Sequence, residues 1–156
     1  MNTTSIATDI GEEIVYTAVV GAVSGRSGTI RSETGQLSLD LARPADRGTG
    51  AGTDPEELFA AGYAACFDSA LAESARRERI KVGATVTTAS VSLIVAADQT
   101  YRIAVAMHVT APNCEQEDLA RAVEAADRLC PYSRAIRGNV DVTLTYVGSS
   151  QPALPA

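Results

Sequence analysis

The chain has 156 residues, a formal net charge of −6 at neutral pH, 46% hydrophobic and 21% charged residues; this suits one soluble globular domain and argues against disorder or collagen-like repeats. No apolar run approaches the roughly 20 residues a membrane helix needs, and the opening "MNTTSIATDIGEE" carries no basic segment followed by an apolar one, so no secretory signal is visible and a cytoplasmic location with reduced thiols is expected. The acidic balance, the scarcity of lysine and the absence of a basic run interleaved with aromatics argue against a nucleic-acid partner.

In chain order, "IVYTAVVGA" over residues 14–22 is rich in β-branched residues and predicts a strand that ends at the turn signal "SGRSG". A second strand is expected from Thr29, and "GQLSLDLA" alternates Leu37, Leu39 and Leu41 with polar neighbours, a half-buried antiparallel pattern. "RPADRGTGAGT", Arg43 to Thr53, reads as a linker, since it lacks the lysine and hydroxyl residue of a phosphate-binding loop. Asp54 is a good N-cap, Pro55 suits the first helical position, and Glu57 stands where a capping-box acid reaches back. The helix that starts here is expected to reach about Arg79, apolar on nearly every side through its middle, and Cys66 lies in that stretch.

Residues 85–96 and 101–111 predict two further strands around "AADQT". In the second, Val105, Met107 and Val109 share a face with Tyr101 and Ile103, leaving His108, the one histidine, on the more polar side. From Glu115 a second helix places Leu119, Ala122, Val123, Ala126, Leu129 and Cys130 on one apolar stripe, and Pro131 ends it or begins a new turn. A last strand alternates Val140, Val142, Leu144 and Tyr146 with polar residues. The order of strands, long helix, strands, helix and strand predicts an α+β fold with helices against antiparallel sheet. The expected organisation is a single domain over residues 1–148 with a loose tail over 149–156.

Chemistry rests on the three cysteines, Cys66, Cys114 and Cys130, which form no C-x-x-C pair, no disulfide framework and no metal-ligand spacing. A cysteine nucleophile ordinarily needs a base, and His108 has no positional link to any cysteine. A nearby arginine activates a thiol without histidine, because it favours the thiolate. Such a pair suits peroxide chemistry: the thiolate attacks the outer peroxide oxygen, charge on the departing oxygen is stabilised, and the cysteine becomes a sulfenic acid that a second cysteine can capture.

The segment "GTDPEELFAAGYAACF" together with "CPYSRAIRGNVDV" closely resembles the OsmC/Ohr family, specifically its organic hydroperoxide resistance branch, over nearly the whole chain from "YTAVVGAVSGRSG" to the last strand. The resemblance implies an intertwined homodimer with antiparallel sheets around a long central helix, and a thiol peroxidase that reduces organic and fatty-acid hydroperoxides to alcohols. It further implies that Cys66 is the peroxidatic and Cys130 the resolving cysteine, that Arg26 in "GRSG" holds the thiolate, and that Glu56 positions that arginine. The reductant implied is a dihydrolipoyl group, as dihydrolipoamide or on a lipoylated protein, and no metal, flavin or haem is implied. Two departures stand out: an acid replaces the common asparagine and glutamine in Asp54-Pro55-Glu56-Glu57, and Ser24 replaces a glycine before "GR". Cys114 matches no catalytic position and reads as an ordinary cysteine in the turn before the second helix.

On one straight helix Glu56 and Cys66 lie about 15 Å apart, which suggests that Arg26 and Glu56 of one subunit complete the site around Cys66 of the other. Phe59, Tyr63 and Phe67 flank Cys66 and are candidates for an apolar lining that favours a hydrophobic peroxide, although each also suits the core. The alternatives are an OsmC-type peroxidase of different peroxide preference and a non-catalytic thiol sensor or binding dimer.

Overall fold

The computed structural model describes residues 11–46 and 52–149. The glycine-rich part of the expected linker, residues 47–51, and the expected tail from residue 150 onward lie outside the described residues. The chain divides into two compact units, Met1–Asp54 and Pro55–Ala156.

The first unit is a small antiparallel meander of β1 (Val20–Val23), β2 (Thr29–Ser32) and β3 (Ser38–Asp40). Val23 pairs with Thr29 at the mouth of the first hairpin, and residues Gly25–Ser27 make one 3-10 turn at its tip. That tip depends on glycine twice. Gly25 adopts φ +54°, and a Cβ on Gly28 would stand 1.8 Å from the Val23 carbonyl oxygen, so only glycine lets the loop close and present Arg26.

The strand expected over residues 14–22 forms only from Val20, although Val19 still accepts the Glu33 N–H at 3.0 Å. A strand needs a partner of matching length. β2 is four residues long and turns back after Ser32, so residues 14–18 have no strand beside them among the described residues, and Val15 and Tyr16 are 93% and 78% exposed.

The second unit follows the order α1 (Pro55–Glu78), β4 (Val86–Val95), β5 (Tyr101–Thr110), α2 (Gln116–Leu129), α3 (Pro131–Ile136) and β6 (Asp141–Val147). The α1 helix starts directly after Asp54 as the capping pattern predicts. It ends in a Schellman arrangement: Arg79 takes the left-handed conformation at φ +58°, and the Ile80 and Arg79 N–H groups donate to the carbonyls of Ala75 and Arg76. Arg76 and Arg77 clamp Glu73 on the exposed end of the helix, holding its carboxyl at about 2.

Strand β4 pairs with β5 antiparallel in full register, from Val86 opposite Thr110 to Val95 opposite Tyr101. Strand β6 joins the other edge of β5 in parallel. The reason is topological: α2 and α3 carry the chain back across the sheet, and a crossover of that kind returns a strand in the same direction. Val105, Met107 and Val109 project from the sheet into a core shared with Phe67, Leu71 and Ala75 of α1 and Leu119, Ala122, Val123 and Ala126 of α2. Asp68 fixes α1 on the sheet, accepting from the hydroxyls of Thr85 and Thr87 at 2.9 and 2.8 Å.

Candidate active site

Pro131 decides the geometry. It cannot extend α2, it pushes the residue before it into an extended conformation, and it suits the first turn of a new helix. Cys130 therefore sits between two helices at φ −60°, ψ 120°, and its fully buried side chain turns toward α1. Its sulfur lies 3.5 Å from Cys66 Sγ, in the middle of α1. Both are free thiols, and Cys66 is the more accessible.

Burial pushes the Cys66 thiol above its ordinary value, and the adjoining Cys130 adds to the rise. A backbone hydrogen bond from Tyr132 pulls in the opposite direction; this N–H belongs to the first turn of α3, where amides have no partner within the helix. The local environment of Cys66 thus favours its thiol, with one oriented dipole already placed to receive charge on that sulfur.

Around the sulfurs, Tyr132 leans over Gly62, one turn before Cys66 on α1. A Cβ at position 62 would stand 3.1 Å from the Tyr132 hydroxyl oxygen and 3.3 Å from Cε2, so glycine makes room for the ring. Phe59, Tyr63 and Tyr132 form an aromatic cluster with centroids 6.0 to 6.2 Å apart. Tyr63 and Phe67 are fully enclosed and belong to the core. Of the aromatics expected to line the thiol, Phe59 alone stays partly open, and Tyr132, not singled out in the sequence, joins it at 40% exposure. The legible signal for Tyr132 was its place directly after "CP" in the second cysteine segment.

Glu56 occupies the first turn of α1, ten residues before Cys66 on the same helix, and Arg26 occupies the hairpin tip of the first unit. The sulfurs are thus brought together, whereas Glu56 stands about 15 Å along the helix from Cys66. His108 faces away from the core on the outer side of β5, where its Nδ1 lies 2.9 Å from the Thr145 hydroxyl, so it is no base for either cysteine. Cys114 is buried just before α2. Its carbonyl accepts the Ser149 N–H at 2.7 Å, which ties the end of β6 to the start of α2. Among the described residues no helix is long and apolar enough to cross a membrane.

Residues 48–145 match the OsmC-like protein family. The organic hydroperoxide resistance protein OhrA of Bacillus subtilis is 47% identical over 134 residues, covering 83% of this chain and 94% of its own. The organic hydroperoxide resistance protein of Xanthomonas axonopodis pv. citri is 39% identical over 86% of this chain and 96% of its own. Among solved structures, OhrB of Bacillus subtilis superposes with a TM-score of 0.80 at 39% identity, covering 86% of this chain and all of its own. An organic hydroperoxide resistance protein from Legionella pneumophila gives the same TM-score at 41% identity, covering 86% of this chain and 98% of its own. The α+β fold with its paired cysteines, and relatives this similar over this much of the chain, lead to one conclusion: the chain belongs to the OsmC/Ohr family, in its organic hydroperoxide resistance branch.

Proposed function

We propose that this protein is a cysteine-based peroxidase that reduces organic and fatty-acid hydroperoxides to alcohols and so confers resistance to them. The observation that carries this reading is the 3.5 Å sulfur pair, one sulfur accessible and one enclosed. The Cys66 thiolate attacks the outer oxygen of ROOH; the O–O bond breaks, the alkoxide takes a proton and leaves as ROH, and Cys66 becomes a sulfenic acid. Cys130 sulfur then attacks the Cys66 sulfur, and the sulfenic oxygen departs with the thiol proton as water, leaving a disulfide. A dihydrolipoyl dithiol returns both cysteines to thiols and is itself oxidised to the cyclic disulfide. No bound cofactor takes part.

Arg26 is the cation assigned to Cys66. Burial raises the thiol, and a guanidinium beside the sulfur acts in the opposite sense and stabilises charge on the departing oxygen. Glu56 is assigned to orient that guanidinium. Its distance from Cys66 along α1 supports a homodimer in which Arg26 and Glu56 of one subunit complete the site around Cys66 of the other. Relatives such as OhrA of Bacillus subtilis align over 83% of this chain and 94% of their own, more than the second unit alone, which supports one functional domain over residues 1–148, and a cytoplasmic setting would keep the resting thiols reduced. Phe59 and Tyr132 offer an apolar approach to the sulfur, which suits a hydrophobic R group better than hydrogen peroxide.

The test is one equivalent of cumene hydroperoxide added to the reduced protein, with intact mass and free thiols followed. The expected result is loss of two thiols and of two hydrogens in mass, reversed by dihydrolipoamide over many cycles. A disulfide that forms once and never cycles would favour a sensor; faster reaction with hydrogen peroxide would favour an OsmC-type peroxidase.

A further inference from the structure

One turn away from the two sulfurs lies a second, polar contact that the chemistry above does not use. Tyr63 precedes Cys66 by three residues on α1, and Ser133 follows Cys130 by three residues on α3. Residues at that spacing are neighbours on one helix face. The Tyr63 hydroxyl and Ser133 Oγ stand 2.8 Å apart, both enclosed, so the hydroxyl pair links α1 to α3 while the sulfur pair links α1 to the residue that caps the start of α3.

Resting on the peroxidase reading of Cys66 and Cys130, we propose that the Tyr63–Ser133 hydrogen bond is a positioning device that holds Cys130 against Cys66 and sets the rate of disulfide closure. The α3 helix has six residues, too few to be stable alone, so its position comes from what it touches. At its far end Arg137 binds the Asp127 side chain and carbonyl, at 2.6 and 3.0 Å, which ties it back to α2. Against α1 the Tyr132 ring packs on Gly62, Phe59 and Tyr63, a contact that leaves α3 room to slide, and the Tyr63–Ser133 bond adds a buried, directional tie that fixes its register. Burial holds the Tyr63 phenol above its ordinary value, so the hydroxyl keeps its proton for this bond at neutral and mildly alkaline pH.

Closure requires the sulfurs to move from 3.5 Å to the roughly 2.0 Å of a disulfide bond. In that step Cys130 sulfur bonds to the sulfenic sulfur of Cys66 and water leaves, with no further oxidant. An α3 helix loosened from α1 meets the sulfenic acid less often. Tyr63 and Ser133 are both enclosed and take no part in the peroxide step as written above, so that step should be spared.

The experiment compares the full-length chain with Tyr63→Phe, Ser133→Ala and the double variant, each treated with cumene hydroperoxide. Sulfenic acid is trapped with dimedone and disulfide formation is followed by mass. The expected result is closure slowed roughly tenfold, with Cys66 sulfenic acid accumulating and the peroxide step held within about twofold. The double variant should be no slower than either single one, because the two hydroxyls act as one unit. Closure at the unaltered rate, or both steps slowed alike, would overturn the positioning role. Cys130→Ser provides the separate check: without any dimedone adduct on Cys66 in that variant, the peroxidase reading itself falls and the positioning role with it. If Tyr63→Phe does not fold, Ser133→Ala carries the test, since it removes the same bond from the smaller side.

Discussion

Cys66 and Cys130 stand 64 positions apart in the chain yet face each other with sulfurs 3.5 Å apart, the first partly open to solvent and the second sealed in the core. In the proposed peroxidase cycle that asymmetry makes Cys66 the sulfur that meets the hydroperoxide and Cys130 the one that follows, so replacing Cys130 by serine should leave one turnover intact and stop the cycle there.

Cys114 offers the matching control. It is buried beside the start of α2, its carbonyl tied to Ser149, and burial raises its thiol, with Asp118 and Glu115 adding to the rise. Cys114→Ala should keep hydroperoxide turnover within about twofold while costing about 1 kcal/mol of stability for the lost buried atom. Turnover assays and urea unfolding of that variant check both halves.

The space over Gly62 should govern substrate preference. A Cβ there already presses on Tyr132, so Gly62→Leu must displace the ring from its place beside Phe59. The expected outcome is a KM for cumene hydroperoxide raised about fivefold, with the fold retained because Tyr132 can swing toward solvent. Steady-state kinetics measure it; an unchanged KM would show that the aromatic wall does not meet the substrate.

Arg26 should be read through pH. If its guanidinium favours the Cys66 thiolate, Arg26→Ala must move iodoacetamide labelling of Cys66 to higher pH and cut turnover about a hundredfold. Labelling rates against pH in the two proteins measure the shift, and coincident profiles would remove Arg26 from the site.

Stability should lose ground at both ends of the pH scale, for opposite reasons. Cys66, Cys114 and Tyr63 are raised by burial, so the folded chain holds their protons more tightly than the unfolded chain does. Their contribution is complete below the ordinary thiol value of roughly 8.5 and is lost as pH climbs through the raised values. Glu73 is lowered to about 2 by Arg76 and Arg77, so its contribution is present above the ordinary carboxylate value of roughly 4.3 and is lost as pH falls toward about 2. That cluster of three side chains is exposed and its effect is small. Urea midpoints of the reduced protein should therefore decline on the alkaline side, and a flat alkaline profile would contradict the burial of these groups.

Local signals in the sequence carried the helices far. The Asp54-Pro55 start, the arginine-rich end and the Pro131 break place α1 and α2 within a residue or so, because capping and proline sterics act over a single turn, whereas Pro131 left open whether a new turn followed and the structure has the six-residue α3 there. What escaped was set by distant neighbours. The strand from Ile14 falls short since β2 is too brief to pair with it, and the parallel direction of β6 follows from the crossover, which alternation cannot reveal. In the site, the cysteine pairing came from a family resemblance. No spacing could have announced the 2.8 Å bond between Tyr63 and Ser133, 70 positions apart, or have told core Tyr63 and Phe67 from open Phe59 on the same apolar helix.

In the proposed cycle Cys66 alone reduces the peroxide. Consumption of cumene hydroperoxide with dihydrolipoamide as electron donor, compared between the native chain and Cys66→Ser, tests it most directly. Turnover in the variant is expected to fall to the rate without protein; turnover that persists at the native rate would contradict the claim.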